Sequence, residues 1–330
     1  YQGTYDEAAQ KFTAAIAGGV APDCILLTVD SYMPGFARAD ALLPLDALAA
    51  QRKPIDTSLF VPTLLHNGVV DGKLYQLPLA RSTPLFYYNQ DAFTELGISA
   101  PPITWSELRS MAPKFLQSAN NTATRWAYDV CPYWWTFASV LWSYGGRFSD
   151  DNFNVMIDKP EAVAAASVWS DMVNKDSSAT YASTDTANKD YTGAKAVFLT
   201  DSTADLSQWE QEAHFKVGCT FMPAETASAV PSGGSGLSIV KASPPQRQEA
   251  AWTFMAAMTS AKSSIYFAEQ TGYQPTRTDA LTDPEMLRYF QKNPNFKVSV
   301  DQMANIHNQD PVTQLPQSIN FIQDGIKRIC

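Results

Sequence analysis

Histidines, cysteines and carboxylates are the residues from which most hydrolytic chemistry is built, and their spacing here supports little of it. The histidines are three: His66, His214 and His307. None stands in an HExxH helix or at metal spacing from a cysteine, so no zinc ligand set is present. No GxSxG turn presents a serine nucleophile. Neither GxGxxG nor GxxxxGKS/T occurs, which leaves no loop of backbone amides to cradle a nucleotide's phosphates. Cys24, Cys131, Cys219 and Cys330 lie far apart; one disulfide is open to them in an exported protein, with no pairing indicated. Adjacent acids such as Asp150-Asp151 would serve a glycosidase only if two carboxylates faced each other across a cleft. In a polar stretch such a pair reads as solvated surface. The expectation is a protein that binds without turnover and uses no cofactor or metal, with a glycoside-acting enzyme as the alternative class.

Binding chemistry is better represented. The chain carries 8 Trp, 14 Tyr and 17 Phe, several in polar rather than apolar contexts. Aromatic rings fill cores first, but they also stack on sugar faces. A net charge of −9 with scattered acids argues against nucleic acid, whose phosphates require a basic face. No apolar run approaches the roughly 20 residues of a membrane span.

The elements that must position these residues follow from periodicity and punctuation. A length of 330 residues suits two lobes of roughly 150 each. Thr4 and Glu7 form a capping box ahead of a helix that places Ala8, Phe12, Ala15 and Ile16 on one face and stops at Gly18-Gly19. Cys24-Ile25-Leu26-Leu27 reads as a buried parallel strand, and a helix is expected from about Met33 to Leu48, giving a parallel α/β sheet. Gly72 to Pro78 is a strand and turn, and Arg81 to Asn89 is extended. Further helices open at Thr104-Trp105-Ser106-Glu107, at Pro160 and at Pro244-Pro245. Ser232-Gly233-Gly234-Ser235-Gly236 is either a plain loop or a backbone kept bare for close approach. An apolar strand from Leu237 to Val240 follows it.

Several of these stretches, taken in order, resemble the extracellular solute-binding proteins that feed carbohydrate ABC importers, from Tyr1 to about residue 275. They are Tyr5-Asp6-Glu7, Ala21-Pro22-Asp23, Gly72-Lys73-Leu74-Tyr75-Gln76-Leu77-Pro78, Arg81 through Asn89, Gly233 through Leu237, and Thr271-Gly272-Tyr273-Gln274-Pro275. Within that family the chain looks most similar to the branch that binds sn-glycerol 3-phosphate and glycerophosphocholine. The resemblance implies the two-lobed periplasmic-binding-protein fold of type II, or Venus flytrap, an α/β fold with discontinuous lobes. One lobe would hold residues 1–82 and 235–274, the other 83–234 and 275–330, with two or three hinge crossings between them. It also implies a ligand taken up in the inter-lobe cleft, where small-molecule sites tend to form. The family's N-terminal strand and helix, with a signal peptide and often a lipid-anchor cysteine, have no counterpart here. The resemblance therefore implies a portion of a longer, extracytoplasmic and lipid-anchored precursor. It would act as a monomer delivering ligand to ABC permease subunits.

Carried over position by position, the resemblance assigns Tyr5, Ser82, Gly234, Ser235 and Tyr273 to the ligand. Trp134 or Trp135 would be the stacking platform, the other being core. Ser202 matches a serine-rich loop more loosely. Asp30, or its neighbour Val29, occupies the column of an acidic hydroxyl-binder. Where the glycerophosphate branch grips its ligand with a C-terminal arginine, Leu315 to Asn320 offers Asn320, which can serve ring hydroxyls as donor and acceptor. Arg81 is the nearby candidate for a replacement cation, expected to turn outward as surface arginines do. A neutral or amino sugar is the expected ligand, and a glycerophosphodiester the alternative.

Overall fold

Start and stop signals in the sequence become the elements that carry the site. The computed structural model describes residues 3–51, 53–120 and 122–330. Two compact units divide them. Unit 1 comprises the chain up to Ser82, Ser232–Lys292 and Gln314–Pro316; unit 2 comprises Thr83–Pro231, Asn293–Thr313 and Gln317–Cys330.

In unit 1 the capping box forms as spaced. Glu7 N–H donates to Thr4 Oγ1 at 3.3 Å and Thr4 N–H to Glu7 Oε2 at 2.8 Å, opening the helix Tyr5–Ala17. Its apolar face buries Phe12, whose ring meets Phe36 edge-on at 4.8 Å. Strand β1, Cys24–Thr28, comes next. The single helix expected from Met33 to Leu48 is instead two short ones, Met33–Arg38 and Asp46–Ala49. Asp40 turns left-handed at φ 60°, Leu42 bridges to Val240, and Pro44 can donate no helical amide, so the helix cannot run through. Strands β2 (Val69–Val70) and β3 (Lys73–Leu74) form a hairpin across Asp71-Gly72. Both turn residues have positive φ, as a type I′ turn demands.

Strand β4, Leu77–Ser82, then runs to the unit's boundary, and the chain returns as a strand we number β12, Gly233–Ile239. The order is β1-β12-β4, with β12 antiparallel to both neighbours. The expected parallel sheet is instead antiparallel throughout: β1 and β4 point the same way but are separated by a strand from far along the chain. The glycine cluster is not a loop; Gly233, Gly234, Ser235 and Gly236 are the first half of β12. Gly234 has φ 85°, and a Cβ there would stand 2.0 Å from the Ala80 carbonyl oxygen. A bulge follows between Ser235 and Gly236. Leu45, Ile55, Phe60, Leu77, Leu237, Ile239, Trp252 and Met255 pack as this unit's main core.

Unit 2 is built on a six-stranded sheet. Its strands are β5 (Pro84–Asn89), β6 (Gln117–Ala119), β7 (Thr122–Val130), β8 (Ala179–Tyr181), β9 (Ala196–Ser202) and β10 (Val217–Thr220). The order is β10-β5-β9-β7-β6, with β8 also on β7. β7 is parallel to β8 and β9, while β5 is antiparallel to β9 and β10. Two short strands, β11 (Val230–Pro231) and β13 (Ile306–His307), pair in parallel beside it. The cap at Thr104 is half the box expected: Thr104 Oγ1 accepts from Glu107 N–H at 3.0 Å, but the Glu107 carboxylate accepts from Ile103 instead.

Aromatic residues supply this unit's core, with Phe86 stacked on Phe198 at 5.1 Å and Trp105 edge-on to Trp169 at 6.2 Å. A buried carboxylate ties the C-terminal segment in. Asp310 accepts from Trp142 Nε1 at 3.1 Å, Arg147 Nε at 2.7 Å and Phe148 N–H at 2.7 Å. Beyond it the helix Pro316–Ile329 lays Ile319, Ile322 and Ile326 on the core. Among the described residues, no helix is long and apolar enough to cross a membrane.

Candidate functional site

Because β1 and β4 run in the same direction, their carboxyl ends meet along one edge of unit 1, beside the start of β12. In α/β proteins ligands favour such edges. Val29 N–H donates to the Gly234 carbonyl at 3.2 Å, which draws the end of β1 against the glycines. Gln274 N–H donates to the Arg81 carbonyl at 2.9 Å and brings Tyr273 to the same edge. The half-buried Tyr273 ring stacks on Phe267 at 5.6 Å. Asp30 follows β1, and its Oδ1 accepts from the Ser31 amide at 2.7 Å and the Ser31 hydroxyl at 3.2 Å.

Tyr5 stands at the first turn of its helix with 48% exposure. Beside it, Asp6 accepts from the Tyr32 hydroxyl at 2.6 Å. Burial first, then Asp6 and Asp30, push the Tyr32 phenol well up. Ser82 is buried opposite Gly233, and Ser235 is buried between Thr28 and Ala80. Ser235 thus packs inside the sheet, and only its backbone borders the glycines. Unit 1 accordingly assembles Asp30, Ser82, Gly234, Ser235 and Tyr273 along one edge.

Arg81 departs from expectation. Rather than turning outward it is wholly buried, because both faces of β4 are covered and alternate side chains have no solvent to reach. Its Nη2 donates to Asn67 Oδ1 at 2.7 Å and Ser232 Oγ at 2.6 Å. Nε and Nη1 have no partner among the described residues. Burial pushes its pKa down to about 9, while the fields of Asp30 and Tyr5 act in the opposite direction.

In unit 2 the parallel strands β7, β8 and β9 end along one edge, where β5 begins with Pro84 opposite Ser202. Ser202 caps the short turn that follows: its Oγ accepts from Ala204 N–H at 3.1 Å, and its carbonyl accepts from the Tyr87 hydroxyl at 2.6 Å. Burial and the neighbouring Asp205 hold the Asp201 carboxyl above the ordinary range. Trp134 and Trp135 open the helix Trp134–Ser143 just beyond β7, and both rings are buried, at 2% and 5% exposure. Tyr133, immediately before them, remains 41% exposed with its ring 6.1 Å from that of Trp135. Asn320 lies exposed on the helix Pro316–Ile329. No hydrogen bond or ring contact among the described residues joins it to Ser202, Trp134 or Trp135.

Beyond the residues expected from the sequence, the structure sets Tyr32 against Asp6 and Tyr133 beside Trp135, and it buries Arg81. Tyr133 is adjacent to the tryptophan pair, and Arg81 to Ser82, so neighbourhood was the available signal. The four cysteines are free thiols. Among the described residues, no group of three or more His, Cys, Asp or Glu side chains could hold a metal ion. The unit 1 edge offers hydroxyls, amides, the half-buried Asp30 carboxylate, a buried cation and tyrosine rings, and the unit 2 edge offers Ser202, the Asp201 carboxyl and the aromatic turn at Tyr133.

Residues 1–298 match the family of bacterial extracellular solute-binding proteins. The sn-glycerol-3-phosphate-binding periplasmic protein UgpB of Yersinia enterocolitica is 24% identical over 319 residues, covering 92% of this chain and 72% of the relative. Among solved structures, UgpB from Mycobacterium tuberculosis in complex with glycerophosphocholine superposes with a TM-score of 0.90 at 31% identity, covering 99% of this chain and 82% of that one. The GacH receptor of Streptomyces glaucescens, solved unliganded and with acarbose, gives a TM-score of 0.81 at 25% identity over 98% and 82% of the two chains. The fold is that of the two-lobed type II periplasmic binding proteins.

Proposed function

This chain belongs to the bacterial extracellular solute-binding protein family, and from that premise we propose that it captures a neutral sugar or a glycerophosphodiester for an ABC importer. Solute-binding proteins of this family take small molecules and work with permease subunits. The observation that carries the reading is the convergence of Asp30, Ser82, Gly234 and Tyr273 on the carboxyl edge of unit 1, with Tyr5 in the field of the same edge. A carboxylate and a serine hydroxyl suit a polyol's hydroxyls, a tyrosine ring suits the face of a pyranose, and a bare glycine lets the backbone come close.

The proposal extends to residues from both units. Tyr5, Asp30, Ser82, Gly234, the Ser235 amide and Tyr273 come from the first. Trp134 or Trp135, Ser202 and Asn320 come from the second, and the exposed Tyr133 beside the tryptophans joins them. A ligand taken into the inter-lobe cleft and preferring the closed form would shift the population toward it, and the importer reads that shape. Asp30 alone would favour an amino sugar, but the buried Arg81 charge beside it opposes a ligand ammonium. The neutral sugar therefore ranks ahead of the amino sugar. The glycerophosphodiester reading is favoured by that same cation. Extracytoplasmic location, a lipid anchor outside these residues and a monomeric state belong to the same proposal.

The test is a fluorescence titration against maltose, glucosamine, glycerol 3-phosphate and glycerophosphocholine, with eight tryptophans as the probe. Saturable binding of one of these without product formation is expected. Turnover of a glycoside, or no binding across the panel, would defeat the reading.

A further inference from the structure

Arg81 is a buried charge that its hydrogen bonds do not account for. It is wholly buried and makes no contact ion pair, and two of its three guanidinium nitrogens have no partner among the described residues. Burying a cation is unfavourable unless a countercharge meets it. Holding Asn67 and Ser232 would need only a neutral donor. The backbone around it is fixed, since Arg81 pairs with Gly234 on one side and bridges Gln274 on the other. That places the Arg81 backbone in the edge that carries Ser82, Gly234 and Tyr273, with its guanidinium held on Asn67 and Ser232. Its electrostatic neighbours are Asp30 and Tyr5, two of the residues assigned to the ligand. Burial lowers its pKa only to about 9, so it stays charged at neutral pH. In a medium of low dielectric a charge acts over several ångströms and need not touch the ligand.

We propose that Arg81 is a specificity-determining residue of this site, biasing the unit 1 edge toward ligands that carry an oxyanion, such as a phosphodiester, and against ligand ammonium groups. The inference rests on the solute-capture reading given above. With Arg81 removed, Asp30 and Asp6 leave the edge net negative, and an anionic group is repelled.

The experiment titrates wild type, Arg81→Gln and Arg81→Lys with glycerophosphocholine, maltose and glucosamine, and checks folding by thermal melts. In Arg81→Gln, glycerophosphocholine affinity should fall by at least about tenfold. Maltose affinity should stay within about threefold and glucosamine affinity should rise. Arg81→Lys, which keeps the charge, should retain the wild-type order of preference. Equal weakening of every probe in Arg81→Gln, or a lysine variant that behaves like the glutamine one, would reduce Arg81 to a structural role and overturn the inference. Wild type binding maltose but not glycerophosphocholine would also overturn it while leaving solute capture standing. If only glycerophosphocholine binds, unchanged affinity in Arg81→Gln overturns the inference, and rescue by Arg81→Lys supports it. Wild type binding none of the three would defeat the capture reading itself, and the inference with it.

Discussion

Replacing Gly234 with alanine should damage unit 1 far more than the loss of one glycine ordinarily does. Two separate effects add. A side chain at φ 85° carries left-handed strain of about 1–2 kcal/mol. The new Cβ would also lie 2.0 Å from the Ala80 carbonyl oxygen and 3.3 Å from Arg81 Cα, where ordinary contact begins at 3.4 Å. Strands β12 and β4 would have to part by more than an ångström. That displacement weakens the pairing of Gly234 with Arg81 and the bond from Val29 N–H, at about 1 kcal/mol for each hydrogen bond. The sum is about 3–5 kcal/mol, a large share of the roughly 5–15 kcal/mol that stabilises a domain. Gly72 supplies the control: its φ is 77°, yet no atom lies within 4 Å of its Cβ position, so Gly72→Ala should show the strain alone. Urea denaturation of both variants, followed by ligand titration under native conditions, separates the two effects. Gly234→Ala should be less stable than Gly72→Ala by about 2–3 kcal/mol and bind ligand more weakly. Equal stability of the two variants would refute the close-approach argument.

Other outcomes follow from buried groups in unit 2. Asp129 is 2% exposed and accepts from Trp126 Nε1 at 2.5 Å, while its Oδ2 has no partner among the described residues. Burial pushes its pKa up to about 7 from 3.8. A raised folded-state value means that its stabilising contribution is full below the unfolded pKa and is lost as pH rises through 7. Asp129→Asn should therefore flatten the fall in unfolding free energy between pH 5 and pH 8, by about 3 kcal/mol at most; parallel pH curves for the two proteins would contradict this. At the aromatic turn, Trp135→Ala should destabilise unit 2 by about 3–5 kcal/mol. Tyr133→Ala should leave stability within about 0.5 kcal/mol yet weaken ligand binding by about 1–3 kcal/mol. Calorimetry giving wild-type affinity for Tyr133→Ala would take that ring out of the site.

What was legible in the sequence was local or lay in an ordered set of short stretches shared with a family. The Thr4 cap, the helices opening at Pro160 and Pro245, and the extended run through Asn89 all depend on neighbours within a few residues. Family membership was legible too, because an ordered set of short stretches over most of the chain is improbable by chance. What failed needed distant partners. Met33 to Leu48 looked like one helix until Leu42 found Val240, about two hundred residues away. The glycine cluster looked like a loop because a strand with so few side chains has no periodicity to read. Only its pairing with β1 and β4 makes it a strand, and only the Ala80 carbonyl explains the bareness of Gly234.

The same division holds within the candidate site. The resemblance points to Tyr5, Asp30, Ser82, Gly234 and Tyr273, and the fold brings Ser82, Gly234 and Tyr273 to one edge through backbone pairings that the sequence does not show. Whether a side chain is buried is decided by what covers it, and no local signal records that. Arg81 reads as a surface arginine, and Trp134 and Trp135 read as one platform and one core ring. The tertiary structure buries the guanidinium on Asn67 and Ser232, and beside the two indoles it leaves Tyr133 as the exposed ring at that turn. The sequence by itself determined the family, the class of chemistry and the local elements. The burial of the Arg81 charge was decided only when strands far apart in the chain closed over it, because β4 gains its cover from β12, which lies about 150 residues further along.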